Sequence, residues 1–182
     1  MAFPPEPDPD KGDWLPPDQY IATLPRATAY ASLYVTDSRG QPVLLNSSVY
    51  RTDSGQVWQL PGGSLDQGES PRVAAERETL EETGLSLKCG RLLAVHFLPP
   101  EPYWPAAKFG LIFEGGALTA DQLAGIRLDP AEHTEWDART VAAWGDVLTP
   151  RSYDRLTAVE SAALSGTTAY IEHVAPGSVD HA

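Results

Sequence analysis

Apolar residues recur at every second position in several short stretches of this chain and at helical spacing in two longer ones. Residues 27–37, ATAYASLYVTD, alternate and are rich in β-forming types, which predicts a strand. SRGQ reads as a turn and PVLLNSSVY, residues 42–50, as a second strand, so the pair predicts a hairpin. GQVWQL is a short strand running into Gly62 and Gly63. From Pro71 to Thr83 the pattern is helical, with Ser70 as N-cap, Pro71 at the first helical position and Gly84 as the stop. LSLKCGRLLAVHFL predicts one strand, or two broken near Gly90, and AKFGLIFEGG another. TADQLAGIRL is helical or irregular, and EHTEWDARTVAAW opens as a turn or strand and continues as helix. PRSYDRLTAVESAAL predicts a helix and GTTAYIEHV an extended tail. No internal repeat is visible. Strands and helices in this mixed order predict an α/β sandwich.

On a wheel of about 100° per residue, Glu78, Glu81 and Glu82 share an arc of roughly 100° on the 71–83 helix. Val73 and Leu80 fall on a neighbouring face expected to pack on the sheet, while Ala74 and Ala75 leave the acidic side open. Glutamates at i and i+4 destabilise a bare helix by a few tenths of a kcal/mol. A solvated acidic face is one reading. The other is a set of oxygen ligands suited to Mg²⁺ or Mn²⁺. The lead-in favours the second. Gly62 and Gly63 let backbone approach a ligand closely, Glu69 stands just before the helix, and Arg77 can pair with Glu69 or Glu81 and fix their rotamers.

Composition narrows the function. Among 182 residues, 25 acids against 13 Lys and Arg give a formal net charge of −12. That balance argues against a binder of nucleic-acid polymers, but admits a small phosphorylated substrate if cations bridge the charge. The single cysteine, Cys89, excludes an internal disulfide, and its surroundings point to a buried thiol rather than a catalytic one. No secretory leader or membrane-length apolar run is visible, so a soluble cytoplasmic protein is expected.

Gly63, five residues, Glu69, seven residues, then Arg77-Glu78-Thr79-Leu80-Glu81-Glu82-Thr83-Gly84-Leu85 resembles the Nudix box. Every polar and glycine position is met; Thr79 stands where the family prefers an aliphatic residue. Softer similarity to actinobacterial Nudix proteins of undefined substrate extends into the flanking stretches. The resemblance implies an α/β/α sandwich with a mixed sheet and hydrolysis of a nucleoside diphosphate linked to another group, X. It implies Glu78 and Glu82 as metal ligands, Glu81 as ligand or base, Glu69 in the metal shell and Arg77 in the catalytic group. Backbone carbonyls at Gly62 or Gly63 are further ligand candidates, and Mg²⁺ or Mn²⁺ is the implied cofactor. The layout expected is a Pro/Asp-rich arm and lead-in over 1–26, the hydrolase domain over 27–149, and a helix and tail over 150–182 packing on it.

Outside the box, the Pro-stiffened loop LPPEPYWPAAKF offers Tyr103 and Trp104 for stacking on a base, or as a cover on the core. Trp58 is core or pocket wall. Glu132 and Glu135 are candidates for an extra carboxylate acting as base or ligand, and Glu101 is a weaker one. His133 can titrate near neutrality, though a surface position is the commoner case. His96, His173 and His181 lack ligand spacing. The expected partner is a small-molecule diphosphate, with no membrane and a possible homodimer. The competing reading is a catalytically silent nucleotide-binding module, which the four retained box glutamates disfavour.

Overall fold

The computed structural model describes residues 15–49 and 57–173. Most of the acidic arm, the end of the second predicted strand and the far C-terminus with His181 lie outside the described residues. The elements run α1 (Pro17–Thr23), β1 (Ala27–Thr36), β2 (Val43–Ser47), β3 (Trp58–Gln59), β4 (Gly62–Ser64), α2 (Pro71–Thr83), β5 (Leu92–Leu98), β6 (Ala107–Ala117), α3 (Ala120–Gly125), β7 (His133–Ala138), α4 (Val141–Trp144), α5 (Pro150–Ser165) and β8 (Ala169–Glu172).

A five-stranded mixed sheet, β4-β1-β6-β5-β8, forms the middle layer. β1 pairs antiparallel with β4 and parallel with β6. The C-terminal tail joins the sheet, with β8 parallel to β5. A second sheet, β3-β2-β7, stands beside it. The alternation of β1 sends its residues to two cores. Ala31, Leu33 and Val35 meet Ala74, Ala75 and Phe113 beneath α2. Tyr34 and its neighbours on the other face meet Trp58, Trp144, Leu156 and Val159 beneath α4 and α5. Burying a side chain such as Leu33 contributes roughly 2–3 kcal/mol. Trp144 is fully buried, and its indole N–H donates to the Pro42 carbonyl at 3.1 Å. The α/β/α order is the one the sequence predicts.

Two local expectations are corrected. β1 and β2 do not form a hairpin. The turn is present, closed by the Asp37 carboxylate, which accepts from the Arg39 and Gln41 amides at 2.8 and 2.9 Å. Both edges of β1 are already taken by β4 and β6, so β2 pairs with β3 and β7 instead.

The second correction concerns α2. Val73 and Leu80 face solvent, while Ala74, Ala75, Thr79, Glu82 and Thr83 face inward. Small residues let the helix lie close to β1. The Thr79 and Thr83 hydroxyls donate back to the Ala75 and Thr79 carbonyls at 2.7 and 2.5 Å, so their polarity costs little when buried. The predicted caps hold: Ser70 accepts from the Val73 amide, and Gly84 ends the helix in the left-handed conformation. No described helix is long and apolar enough to cross a membrane.

Candidate active site

The box glutamates separate into two groups. Glu82 points into the protein and is 3% exposed. Its Oε2 accepts from the Gly62 amide at 2.8 Å, and its Oε1 lies 2.7 Å from His133 Nε2. The Gly62 contact requires a glycine. Its φ is +141°, and a Cβ there would meet the Ala31 carbonyl oxygen at 2.2 Å. Gly63 is needed for another reason: the space of its missing Cβ is taken by the Glu78 carboxyl carbon, 2.4 Å away. Two adjacent glycines thus seat two different carboxylates. Burial pushes the Glu78 pKa up, against the opposing pull of Arg77.

Glu69 and Glu81 are organised around Arg77. The guanidinium makes a bidentate pair with Glu69, both bonds 2.9 Å, and reaches Glu81 and Glu78 at 3.0 Å each. It also donates to the Ser64 carbonyl, which ties α2 to β4. The bonds from Arg77, with one from the Asp66 amide, hold the Glu69 carboxyl down to about 2. Glu81 is more than half exposed. Glu69, Arg77 and Glu81 flank the cavity rather than line it.

That cavity, about 470 Å³, opens where β1, β4, β6 and α5 meet. Glu78, Glu82, Gly62 and Gly63 line it on one side. Glu132 and His133 join them from the loop before β7 and its first residue. The ligand atoms of Glu82, Glu132 and His133 lie within 4.8 Å of one another. On the other side stand Tyr30, Lys108 and Arg155.

The donor set fits a divalent ion. It is dominated by carboxylate oxygens, with the His133 imidazole beside the buried Glu82 and the Glu132 carboxylate. Burial opposes a charged His133, but the hydrogen bond and charge of Glu82 outweigh it and raise the pKa.

The other candidates separate clearly. Glu132 comes to the cluster, while Glu135 accepts from Asn46 Nδ2 at 3.0 Å on β7. His133 is buried, not on the surface. Its ring turns inward because β7 pairs with β2 at Ser47, beside the cavity. Trp58 lies in the core, 5.0 Å from Trp144 between ring centroids, and its neighbour Gln59 lines the cavity instead. Tyr103 is 76% exposed and lines a separate groove with α1. Trp104 lines that groove too, but touches the rim: its indole donates to Thr28, and Lys108 Nζ sits 3.9 Å over its ring. Glu101 pairs with Arg151. Cys89 is part-buried, and burial pushes its thiol up to about 11. The single sequence carried no signal for Tyr30, Lys108 or Arg155, whose meeting depends on strand order.

Comparison with known proteins bears on the family and the fold. Residues 25–155 match the family model of the NUDIX domain. An RNA pyrophosphohydrolase from Agrobacterium fabrum is 34% identical over 119 residues, covering 53% of this chain and 65% of the relative. An 8-oxo-(d)GTP phosphatase from Mycolicibacterium smegmatis is 36% identical over 98 residues, covering 50% of this chain and 30% of that one. The chain therefore spans less than two thirds of the length of these curated relatives. In three dimensions it is similar to a MutT protein from Methanosarcina mazei, with TM-score 0.62 and 24% identity, covering 78% of this chain and 96% of the other. From the box, the fold and the family match together, the chain belongs to the Nudix family.

Proposed function

We propose that this chain is a divalent-metal-dependent hydrolase of a pyrophosphate bond in a small phosphorylated metabolite, such as a nucleoside diphosphate linked to X. The observation that carries the reading is the single cavity lined by Glu78, Glu82 and Glu132 together with Lys108 and Arg155. Carboxylates alone would repel a pyrophosphate; carboxylates and cations in one cavity suit one bridged by a metal ion.

Glu78 and Glu82, with His133, would hold the ion. The carboxylates favour Mg²⁺ or Mn²⁺. When bound, the ion neutralises the pyrophosphate and lowers the pKa of an attacking water. Gly62 and His133 fix both oxygens of Glu82, so its orientation is set before any ligand arrives. Glu132 is exposed, and its carboxylate has no side-chain hydrogen bond among the described residues. It is the group placed to take the proton of the attacking water. Arg77, Glu69 and Glu81 act by holding the loop and the start of α2 in register. Glu81 keeps its candidacy as ligand or base through the box alone, since its carboxylate faces Arg77. Lys108 and Arg155 steady the negative charge that grows at phosphorus.

The relatives named RNA pyrophosphohydrolases put a 5′-phosphorylated RNA end among the substrates to try. The net charge of −12 favours a small molecule over a long polymer. The test is a panel of nucleoside triphosphates, nucleotide sugars, dinucleoside polyphosphates and a 5′-triphosphorylated oligonucleotide, with Mg²⁺ or Mn²⁺ and products resolved by chromatography. Metal-dependent cleavage between two phosphates of at least one compound supports the proposal. An intact panel under both metals overturns it.

A further inference from the structure

A second cavity, of about 280 Å³, lies toward the other end of β1. Thr28, Ala29 and Tyr30 line the candidate active site, whereas Tyr34 and Thr36 line this one. Four residues of strand, from Tyr30 to Tyr34, span roughly 13 Å. Helix α5 borders both cavities, through Arg155 in the first and Glu160 in the second.

Strand pairing builds the floor of the second cavity. Tyr34 on β1 is the parallel partner of Glu114 on β6, so both side chains leave the sheet on the face that α5 covers. The Tyr34 ring belongs to the core that holds Trp144 and Leu156, and the residue is only 5% exposed. Its hydroxyl has no hydrogen-bond partner among the described residues. A buried tyrosine hydroxyl ordinarily finds a partner; this one is offered to the cavity. Glu114 and Glu160 line the same space, both part-buried and neither in an ion pair among the described residues. Burial pushes the Glu160 carboxyl up, with no cation offsetting it. Arg91, whose carbonyl accepts from the Glu114 amide, turns its guanidinium to the Ala162 and Ala163 carbonyls at 3.2 and 3.3 Å, so its charge serves the end of α5. Ala117, Ala163 and Leu164 add small and apolar wall.

These groups select a ligand chemistry. Two carboxylates and a phenol oxygen can accept three hydrogen bonds, and an ammonium group donates three and accepts none. An anionic ligand would be repelled by two acids that lack a counter-ion. A divalent metal would use the oxygens and leave the apolar wall bare. The described residues also place no third His, Cys, Asp or Glu with these two in ligating range. The apolar wall suits the methylenes of an aliphatic chain that carries its charge at one end.

We propose that this second cavity binds a primary aliphatic ammonium group, with Glu114, Glu160 and the Tyr34 hydroxyl as acceptors and Ala117, Ala163 and Leu164 around its chain. A free amine and a lysine side chain of another protein share this chemistry. The site is separate from the metal-dependent hydrolysis and does not rest on it.

The test follows amide NMR signals of the isotope-labelled full chain as n-butylammonium is added at constant ionic strength. Shifts should gather at residues 34–36, 114–117 and 160–164. Affinity should be about tenfold higher than for tetramethylammonium, which has the charge without N–H donors, and for n-butanol, which has the chain without the charge. These controls remove the general pull of a chain of net charge −12 on cations. Tyr34→Phe removes an unpaired hydroxyl and Glu160→Gln an unpaired charge, so neither should lower the melting temperature. They should nonetheless weaken n-butylammonium binding about threefold and about tenfold respectively, a pattern that a purely structural role would not give. Nα-acetyl-lysine amide separates the sources: affinity equal to n-butylammonium assigns the site to a lysine side chain, and affinity about tenfold lower assigns it to a free amine. Equal affinity for n-butylammonium and both controls, shifts confined to the candidate active site, or unchanged affinity in either variant overturns the proposal.

Discussion

His133 Nε2 and Glu82 Oε1 lie 2.7 Å apart, both residues at most 3% exposed, joining α2 to β7 across 51 positions of sequence. His133→Ala leaves one oxygen of a buried carboxylate without its donor. A hydrogen bond to a charged group contributes about 1.5–3 kcal/mol, and for a chain of this size that is roughly 5–10 °C of melting temperature. Mn²⁺ affinity should fall about tenfold, since the partner that orients the carboxylate is gone. His133→Gln keeps an N–H and should recover part of both. Scanning calorimetry and Mn²⁺ titration read these directly. Wild-type values in His133→Ala would show that the contact holds nothing.

The adjacent glycines give opposite expectations. Gly62→Ala drives a Cβ into the Ala31 backbone at a φ of +141°, and should cost about 3 kcal/mol or more. Gly63→Ala meets the movable end of the Glu78 side chain instead. Its melting temperature should stay near wild type while Mn²⁺ affinity drops about tenfold. Similar stability losses in both variants would mean that Gly63, too, is demanded by backbone packing.

Much of this fold was legible because its signals are local. Ser70, Pro71 and Gly84 cap α2 as read, and alternation located β1 and β6. The box spacing located the carboxylates for the same reason: two helical turns and a short loop fix which side chains meet. What failed was non-local. The wheel put Val73 and Leu80 inside because it ranks by hydrophobicity, whereas the sheet selected Ala74 and Ala75 for closeness. Strand pairing, invisible to a turn signal, separated β1 from β2. Lys108, Arg155 and Tyr30 meet only through the order β4-β1-β6 and the docking of α5. His133 looked like a loop histidine because nothing near it in sequence shows that Glu82 is across from it.

His96 should leave a mark on the pH profile of stability. Its pKa falls from 6.5 in the unfolded chain to about 3 in the folded one. The unfolded state therefore binds the extra proton, and stability present above pH 6.5 is lost as pH falls toward 3. Between pH 8 and 5 this amounts to about 2 kcal/mol. His133, whose pKa is raised, works in the opposite direction. The His96 share is therefore the difference between wild type and His96→Gln. Denaturant unfolding at several pH values should show a steeper acid-side loss in wild type. Parallel profiles would mean that His96 is not held neutral.

Tyr103 and Trp104 part company. Tyr103→Ala should leave KM and stability near wild type, because the ring is exposed and away from the cavity. Trp104→Ala frees Lys108 from its cation–π contact, worth about 0.5–1 kcal/mol at such a site, and should change KM about twofold to fivefold with kcat nearly constant. Steady-state kinetics on one substrate separates them. A larger KM effect from Tyr103 would move the pocket to the α1 groove.

The claim that most depends on measurement is that the buried glutamate of α2 serves a metal-dependent hydrolysis. Glu82→Gln preserves shape, and its amide can still accept from the Gly62 N–H and donate to Nε2 of a neutral His133, so the fold should hold. The measurement is kcat/KM of wild type and Glu82→Gln with Mg²⁺ on the best substrate of the panel, at matched melting temperature. The account predicts a fall of roughly two orders of magnitude, about 2.7 kcal/mol of lost transition-state stabilisation. A folded Glu82→Gln protein that turns over like wild type would contradict it.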